Sequence, residues 1–239
     1  MSLGTTVSAS LCGAGEHQLK VTSSNVYDYL KGRLIRYQFR PRERLVVAEL
    51  ADSIKVSSTP VREALSRLCV EEYLVSVPNR GFFVRPLSVK EMRDLLEFGW
   101  FLLRDSIELS SKKREKMPLS DRPEMLPIES ASCDSAAAVV YIETAYKRIS
   151  ALTPNSALSR ALSNFVDRTH YIRSLDIEDY GSRGKLVTDI GEIDQLLHRG
   201  EISPAISCLE LHFEEQYERL PSLVKEGISR LYAGTSADQ

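Results

Sequence analysis

The segment Ser57–Glu71, SSTPVREALSRLCVE, determines how the N-terminal part of this chain folds. The hydroxyls of Ser57 and Ser58 can cap a helix by accepting a bond from a free backbone N–H, and Pro60 suits a first turn, where no donor is needed. The apolar side chains that follow recur at helical spacing and form one stripe: Val61, Ala64, Leu65 and Leu68. The pattern predicts a helix that exposes polar and basic side chains near its N-terminus.

A second, shorter helix is predicted immediately upstream. Residues Val47 to Ile54 are amphipathic, and Lys55-Val56 leaves room only for a tight turn before the next helix. Two short helices joined in this way form a helix-turn-helix, whose second helix enters the major groove of DNA.

The residues downstream predict a β-hairpin. Tyr73–Val77 has the pattern of a strand, Pro78–Gly81 that of a turn, and Phe82–Arg85 that of a returning strand. Arg80 at the tip of this wing can contact phosphates or enter the minor groove. The whole arrangement is a winged helix-turn-helix.

These motifs resemble the GntR family of bacterial transcription regulators. The family pattern is a Ser-Arg-Thr-Pro-Val-Arg-Glu-Ala-Leu run followed by Leu-Val and an Asn-Arg-Gly wing. The chain matches it at Ser57–Leu65, Leu74-Val75 and Asn79–Gly81, and the resemblance spans residues 24 to 86. One departure is Ser58, which stands where the family usually has an arginine.

The candidate DNA contacts follow from this arrangement. Arg62 is the predicted guanine contact, because arginine binds guanine in a bidentate manner; the alternative is a salt bridge to Glu63 or Glu49. Thr59 and Ser57 are predicted to contact phosphates at the helix N-terminus. The full predicted set is Arg44, Ser57, Ser58, Thr59, Arg62, Arg67, Arg80 and Gly81.

Charge is divided unevenly along the 239 residues. Residues 20–86 contain twelve Lys/Arg and seven Asp/Glu, whereas residues 87–239 contain nineteen and twenty-five. Attraction to phosphates requires a basic excess of this kind on the DNA-binding part. The alternative is an ordinary solvated surface.

Several classes of protein are disfavoured by what the sequence lacks. The four cysteines, Cys12, Cys69, Cys133 and Cys208, have no Cys-x-x-Cys spacing, so neither a zinc site nor a disulfide framework is predicted. No apolar run approaches the roughly twenty residues of a membrane span. A phosphate-binding glycine loop, a Gly-x-Ser-x-Gly motif and a His/Cys cluster are also absent, so we expect a non-enzyme in the bacterial cytoplasm, without a membrane partner.

The fold class predicted is mainly α, with an N-terminal winged helix-turn-helix followed by an all-α antiparallel helical bundle. Residues 1–22 are expected to be a disordered or tag-containing tail, residues 23–86 the DNA-binding domain, and residues 87–239 a helical domain for effector binding and dimerisation. Ser88 is predicted to cap the first helix of the bundle. The other predicted segments are helices at 135–152, 155–175, 183–199 and 203–233 and a loop at 117–134.

A helical bundle behind a GntR-type winged helix resembles the FCD class of effector domain, which implies an antiparallel bundle that binds small organic acids. The matching residues are Asn155 with Leu158, Gly200-Glu201, and Ala205 with His212. The class also tends to carry an arginine near Gly99, and this chain has none there.

In that class a divalent metal is usually held by an Asp and a His four residues apart, together with two later histidines. The corresponding positions here are Ile142, Tyr146, Ile190 and His212, so one of the four ligands is retained. Glu143 and Asp189 do not restore the set. The prediction is a bundle without bound metal or other cofactor.

An effector site is predicted where the metal ligands are missing. Tyr146, Ile190 and His212 either line a cavity for a less polar or bulkier ligand or simply fill the core. Arg173, together with His170, can bind an anion if the two face inward.

The function predicted is a dimeric, sequence-specific transcriptional regulator of the repressor type. Its partners would be a roughly palindromic double-stranded DNA operator and a small-molecule effector, for which organic acids are one candidate class. The alternative is a winged-helix module for protein interaction without sequence-specific DNA binding.

Overall fold

The computed structural model describes residues 21–114, 126 and 134–233, and within them it contains eight helices and three strands. The predicted fold class is confirmed, since a small winged helix-turn-helix precedes a helical domain. The elements are α1 Val26–Ile35, β1 Arg44–Leu45, α2 Val47–Ile54, α3 Ser58–Val70, β2 Leu74–Val77, β3 Gly81–Val84, α4 Val89–Arg114, α5 Ser135–Ser150, α6 Ser156–Glu178, α7 Tyr180–Arg199 and α8 Ile202–Ala233. Residues 1–20 of the predicted tail and nearly all of the predicted loop at 117–134 lie outside the described residues.

The elements from Val26 to Val84 form what we call the reading head. Lys55 ends α2 in the left-handed conformation, with φ of +57°, and this produces the tight turn before α3. The apolar stripe of α3 is buried against α1 and α2, and Leu65 and Leu68 are 0% exposed. The polar face of α3 therefore points away from the head's core.

The wing is a three-stranded antiparallel sheet with the order β1-β3-β2. The two strands of the hairpin were predicted, but β1 was not, because two residues are too few to show an alternating pattern. Arg44 therefore lies in a strand and not in a loop, paired with Phe83 of β3.

Ser57 occupies the N-cap position of α3 with an extended backbone. The prediction that a serine hydroxyl caps the helix is wrong, since no side chain bonds the first-turn amides. The side chain of Ser57 is exposed and makes no bond to those amides.

Helices α4 to α8 form what we call the bundle. The ends of its helices are set by local signals, because the side chains of Asp134, Asn155 and Asp179 accept bonds from first-turn amides, and Gly200 ends α7 with φ of +85°. Helix α6 runs three residues beyond the predicted 175 and α7 begins three residues before the predicted 183, with Asp179 between them. Among the described helices, none combines the length and apolarity that crossing a bilayer would demand.

The described residues bury two separate hydrophobic clusters. One belongs to the reading head and extends from Val26 to Val84; the other belongs to the bundle and extends from Leu87 to Val224. Tyr37 of the reading head packs against the bundle cluster, but the exposed face of α3 and the interior of the bundle are distinct places in the molecule.

Candidate nucleic-acid interface and effector site

The N-terminal half of α3 presents a polar surface to solvent. Ser57, Ser58, Thr59 and Arg62 are all exposed, while Val61 between them is 0% exposed. The first-turn amides of α3 are not capped by a side chain, and open amides at a helix N-terminus attract phosphate. This surface can hold a phosphate at the helix end and place an arginine beyond it.

Arg62 is available for a ligand. Among the described residues it makes no ion pair with Glu63, Glu49 or any other carboxylate, so the salt-bridge alternative does not occur in this structure. Because guanidinium groups present paired donors, an uncommitted and exposed Arg62 has the chemistry required to read a guanine edge.

Arg67, by contrast, is already engaged at the other end of α3. Its Nε lies 3.0 Å from Oε1 of Glu71, and its guanidinium lies 3.8 Å from the centre of the Tyr27 ring. Its side chain is nevertheless 63% exposed, so it can reach a phosphate only by leaving these partners.

The sheet brings together the predicted contacts of the wing. Gly81 has φ of +97°, a conformation that favours glycine, and a Cβ built on it would lie 3.9 Å from Nε of Arg44. Arg80 precedes it at the exposed tip, with its guanidinium 6.0 Å from the Phe83 ring. Arg44, Arg80 and Gly81 therefore form one basic edge, although Arg44 is far away in sequence.

Arg42 also lies at this edge, and it belongs to a run of arginines in the sequence whose predicted role is either to contact phosphates or to act as solubilising charges. It is exposed, its backbone has φ of +66°, and its amide bonds the carbonyl of Val84 at 3.0 Å. A shallow groove of about 280 Å³ runs between Arg42 and Arg80 on the wing. The run of arginines from Arg33 to Arg44 was the only signal for it in the sequence.

At the centre of the bundle, Tyr146 and His212 contact each other directly. The Tyr146 hydroxyl lies 2.7 Å from Nε2 of His212, and each residue is 1% exposed. On the other side of the ring, Nδ1 of His212 is 3.8 Å from Oδ2 of Asp189 and has no hydrogen-bond partner. Burial lowers the pKa of His212 despite the opposing effect of Asp189, so the ring is held neutral.

The residues at the positions of the class's metal ligands do not fit a divalent ion. Ile142 and Ile190 are apolar and each 1% exposed, and Nε2 of His212 is occupied by Tyr146. Within the described ranges, no group of three or more His, Cys, Asp or Glu side chains is arranged to hold a metal ion.

Arg173 and His170 both bond an internal carboxylate. Oε1 of Glu143 lies 2.7 Å from Nη1 of Arg173 and 2.8 Å from Nδ1 of His170. Burial raises the pKa of Glu143, but the His170 bond and the charges of Arg173 and His170 outweigh it, so the pKa lies below its usual value. Arg173 is 6% exposed and its Nε has no hydrogen-bond partner. The predicted anion site thus faces inward and holds a side chain of the chain itself.

Aromatic rings occupy the space beside these polar groups. A Cβ added at Gly99 would lie 2.4 Å from atoms of the Phe165 ring, so this ring fills the place near Gly99 where the class carries an arginine. The rings of Tyr146 and Phe213 stack with centres 6.2 Å apart. In this structure the candidate effector residues are therefore packed among aromatic side chains.

Comparison with known proteins places the reading head in a family. The model of the gntR family of bacterial regulatory proteins matches residues 22–84. The Nta operon transcriptional regulator of Aminobacter aminovorans is 26% identical over 204 residues, covering 84% of this chain and 96% of that protein. The HTH-type transcriptional repressor GlaR of Escherichia coli K12 is 33% identical over 79 residues, covering 33% of this chain and 36% of that protein.

Solved structures share the fold over most of the chain. A GntR transcriptional regulator from Rhodococcus sp. RHA1 superposes with a TM-score of 0.63 at 16% identity, covering 84% of this chain and 97% of that one. Lar, which controls the expression of the Listeria monocytogenes agr system, gives a TM-score of 0.61 at 16% identity, covering 87% of this chain and all of that one. Residues 22–84 are thus a helix-turn-helix domain of the gntR family of bacterial regulatory proteins, and the chain that carries them is a DNA-binding transcriptional regulator.

Proposed function

We propose that this protein is a dimeric, sequence-specific repressor that binds a roughly palindromic DNA operator and responds to a small molecule in its bundle. The observation that carries the DNA-reading part is the exposed Arg62, which makes no ion pair with any described residue and lies one turn from the open amides of α3. Repression is supported by the name of GlaR, a repressor that is similar over the reading head. We place the protein in the bacterial cytoplasm, where an operator is found, and assign it no catalytic activity.

The DNA-binding proposal is tested with duplexes that the protein itself selects from a random library. Fluorescence anisotropy should show binding whose logarithm falls linearly with the logarithm of the salt concentration, because phosphate contacts release counterions. Arg62→Ala should reduce the preference for the selected sequence by about 1–3 kcal/mol, whereas Arg199→Ala, which removes an exposed arginine of the bundle, should leave it unchanged. If the protein binds selected and random DNA with equal affinity, and Arg62→Ala leaves both affinities unchanged, the result supports the protein-interaction alternative instead.

Dimerisation is proposed through an apolar face of the bundle. Large side chains are exposed on α4 and on α8, which pack together: Phe98, Phe101 and Leu109 on α4 and Leu211 on α8. A palindromic operator needs two reading heads, and a second copy of the chain would cover this face. Sedimentation should show dimers for the unmodified protein and monomers for Phe101→Glu. A monomeric unmodified protein would refute the dimer.

The effector is proposed to bind beside Tyr146, Ile190, His212 and Arg173. Two buried nitrogen atoms without a hydrogen-bond partner support this site, because Nε of Arg173 and Nδ1 of His212 can each donate one further bond. An organic acid fits if its carboxylate replaces Glu143 at Arg173. A bulkier neutral ligand fits if it displaces the aromatic rings.

A thermal-shift screen separates these ligand classes. Carboxylic acids that replace Glu143 should raise Tm for the unmodified protein and should not do so for Arg173→Met, since the methionine keeps most of the side-chain volume without the charge. Neutral aromatic compounds should stabilise both proteins. Elemental analysis of the purified protein should find no stoichiometric transition metal, and finding one would overturn the metal-free assignment.

A further inference from the structure

The reading head is attached to α6 of the bundle through the residues that immediately follow the recognition helix α3. Three consecutive residues of the head meet three residues of α6 that share one helix face at spacing i, i+3 and i+4. The contacts are Nδ2 of Asn164 to the carbonyl oxygen of Glu71 at 2.9 Å, the Tyr73 hydroxyl to Oδ2 of Asp167 at 3.3 Å, and Nη1 of Arg168 to Oε2 of Glu72 at 2.5 Å.

One of these bonds ends on the recognition helix itself. Glu71 is the C-cap residue of α3, and a helix leaves its last carbonyl groups without intrahelical partners. Asn164 supplies a donor to that carbonyl from the other part of the molecule. The bundle thereby holds the C-terminal end of the helix whose N-terminal end is free for DNA.

Two residues at this junction have unusual backbone conformations, which indicates that the contacts there hold the chain in one arrangement. Glu72 and Tyr37 have φ of +65° and +49°, the left-handed region that non-glycine residues rarely adopt. Both direct their side chains to α6, Glu72 to Arg168 and Tyr37 to Tyr171, whose ring centre lies 5.0 Å away. Such strain persists where the surrounding contacts over-determine the conformation.

Most charges at the junction are partly withdrawn from solvent, whereas the side chain of Glu72 is 59% exposed. Arg168 bridges two carboxylates, Glu72 and Glu91 of α4, and its side chain is 10% exposed. Lys31 of α1 pairs with Asp167 at 2.9 Å, and both side chains are 21% exposed. Ion pairs with limited exposure are screened less by salt than surface pairs, so they can hold two elements in one orientation.

The opposite face of α6 belongs to the bundle interior. Phe165, Thr169 and Arg173 are buried there, and Arg173 donates to the Thr169 hydroxyl at 2.6 Å. A displacement of α6 in the interior would therefore move Asn164, Asp167 and Arg168 with it, because they lie on the same rigid helix.

We propose that Asn164, Asp167 and Arg168 are positioning residues for DNA recognition: they fix the direction in which the bundle presents the recognition helix. The proposal rests on the proposed function, since it concerns two heads of a dimer on one operator. A fixed direction sets the distance between the two recognition helices. The operator must then have one preferred spacing between its half-sites.

The experiment measures that spacing preference. The half-site that the unmodified protein selects from a random duplex library is placed in inverted repeats with a series of spacer lengths and also alone. The variant removes two contacts at once, Asn164→Ala with Arg168→Ala. The matched control is Gln195→Ala with Arg199→Ala, an amide and an arginine at the same i, i+4 spacing on α7, where they bond each other at 3.3 Å.

The unmodified protein and the control should prefer one spacing by at least about tenfold, because avidity is lost when geometry prevents both heads from binding. The double variant should bind all spacings within about twofold, with its affinity for a single half-site unchanged. Arg168→Lys, which keeps the charge, should recover part of the preference.

Three outcomes overturn the proposal. The double variant retains the preference, or the unmodified protein shows none, or the double variant loses single half-site binding because its head no longer folds. Selection of no DNA sequence by the unmodified protein is a different result, since it refutes the proposed function itself.

Discussion

The Tyr146 hydroxyl and Nε2 of His212 are joined at 2.7 Å in the centre of the bundle, across helices α5 and α8. Asp189 lies on the Nδ1 side of the imidazole and favours the tautomer that carries its hydrogen on Nδ1. Nε2 is then the acceptor, and the Tyr146 hydroxyl donates to it. Two positions that the resemblance to the FCD class aligned with metal ligands thus satisfy each other. In this structure a hydrogen bond between two side chains links α5 and α8 in the interior of the bundle.

Tyr146→Phe tests that bond. The variant leaves Nε2 of His212 buried without its closest partner, and an unsatisfied buried polar group costs about 1–3 kcal/mol. The free energy of unfolding from urea titrations should fall by that amount. Tyr217→Phe is the control, because this partly buried tyrosine packs on the same core without bonding His212. Equal losses in the two variants would contradict the prediction.

His212 makes stability depend on pH. Burial lowers its pKa in the folded state, an effect to which Arg219 and Arg173 add and which Asp189 opposes. The unfolded chain therefore binds more protons once the pH falls below about 6.5, and stability should decrease as the pH is lowered from about 7 to about 5.

Urea titrations at several pH values check this dependence. His212→Gln keeps a polar group beside Tyr146 and should flatten the slope in that interval. The pKa values of Glu143 and Asp189 also lie below their usual values, but the stability they contribute is lost only below about pH 4.5, so the two effects are separable. An unchanged slope in His212→Gln would show that other groups cause the dependence.

Gly99→Ala tests the close packing of Phe165 on α4. The added Cβ would lie 2.4 Å from the ring, and overpacking a filled core costs about 1–3 kcal/mol. Gly184→Ala is the matched control, because nothing lies within 4 Å of its Cβ and alanine is favoured by about 0.5–1 kcal/mol inside a helix. The Tm should therefore fall in Gly99→Ala and rise in Gly184→Ala. A Gly99→Ala protein as stable as the unmodified one would mean that Phe165 is free to move aside.

Arg44→Ala should weaken DNA binding in a different way from Arg62→Ala. Arg44 lies beside Gly81 at the basic edge of the wing and would contact a phosphate, so its loss should lower affinity for all sequences and reduce the salt slope by about 1. Loss of Arg62 should cost about 1–3 kcal/mol on the selected sequence alone. Parallel titrations on selected and random duplexes distinguish the two, and identical profiles would refute the assignment of separate roles.

Glu143→Gln tests the internal carboxylate. Removing its charge leaves Arg173 buried without a counterion, and breaking a buried pair costs about 3–5 kcal/mol. Added acetate should restore part of the lost Tm in Glu143→Ala, where the shorter side chain leaves room for a carboxylate beside Arg173, and not in Glu143→Gln, whose amide still fills that place. Glu201→Gln, which loses an exposed pair with Arg199, should change stability little and should not respond to acetate.

Local patterns account for most of what was predictable. The bounds of α2 were predicted to the residue, and all four strand ends of the wing hairpin were predicted to within one residue, because the tight turn at Lys55 and the turn at Pro78–Gly81 are short-range signals. Strand β1 was not predictable, because its two residues become a strand only by pairing with β3. The hydroxyl cap on α3 was wrong for a related reason, since the orientation of a side chain is not contained in a residue type.

The sequence by itself determined the winged helix-turn-helix, the helical bundle and the residue types at Ile142, Tyr146 and Ile190, because these depend on residue identity and spacing along the chain. Only the tertiary structure decided that Glu143 bonds Arg173 and that Asn164 holds the end of the recognition helix, 93 residues away. Helical periodicity shows which residues share a face. The rotation and depth at which each helix packs on its neighbours decide what that face contacts.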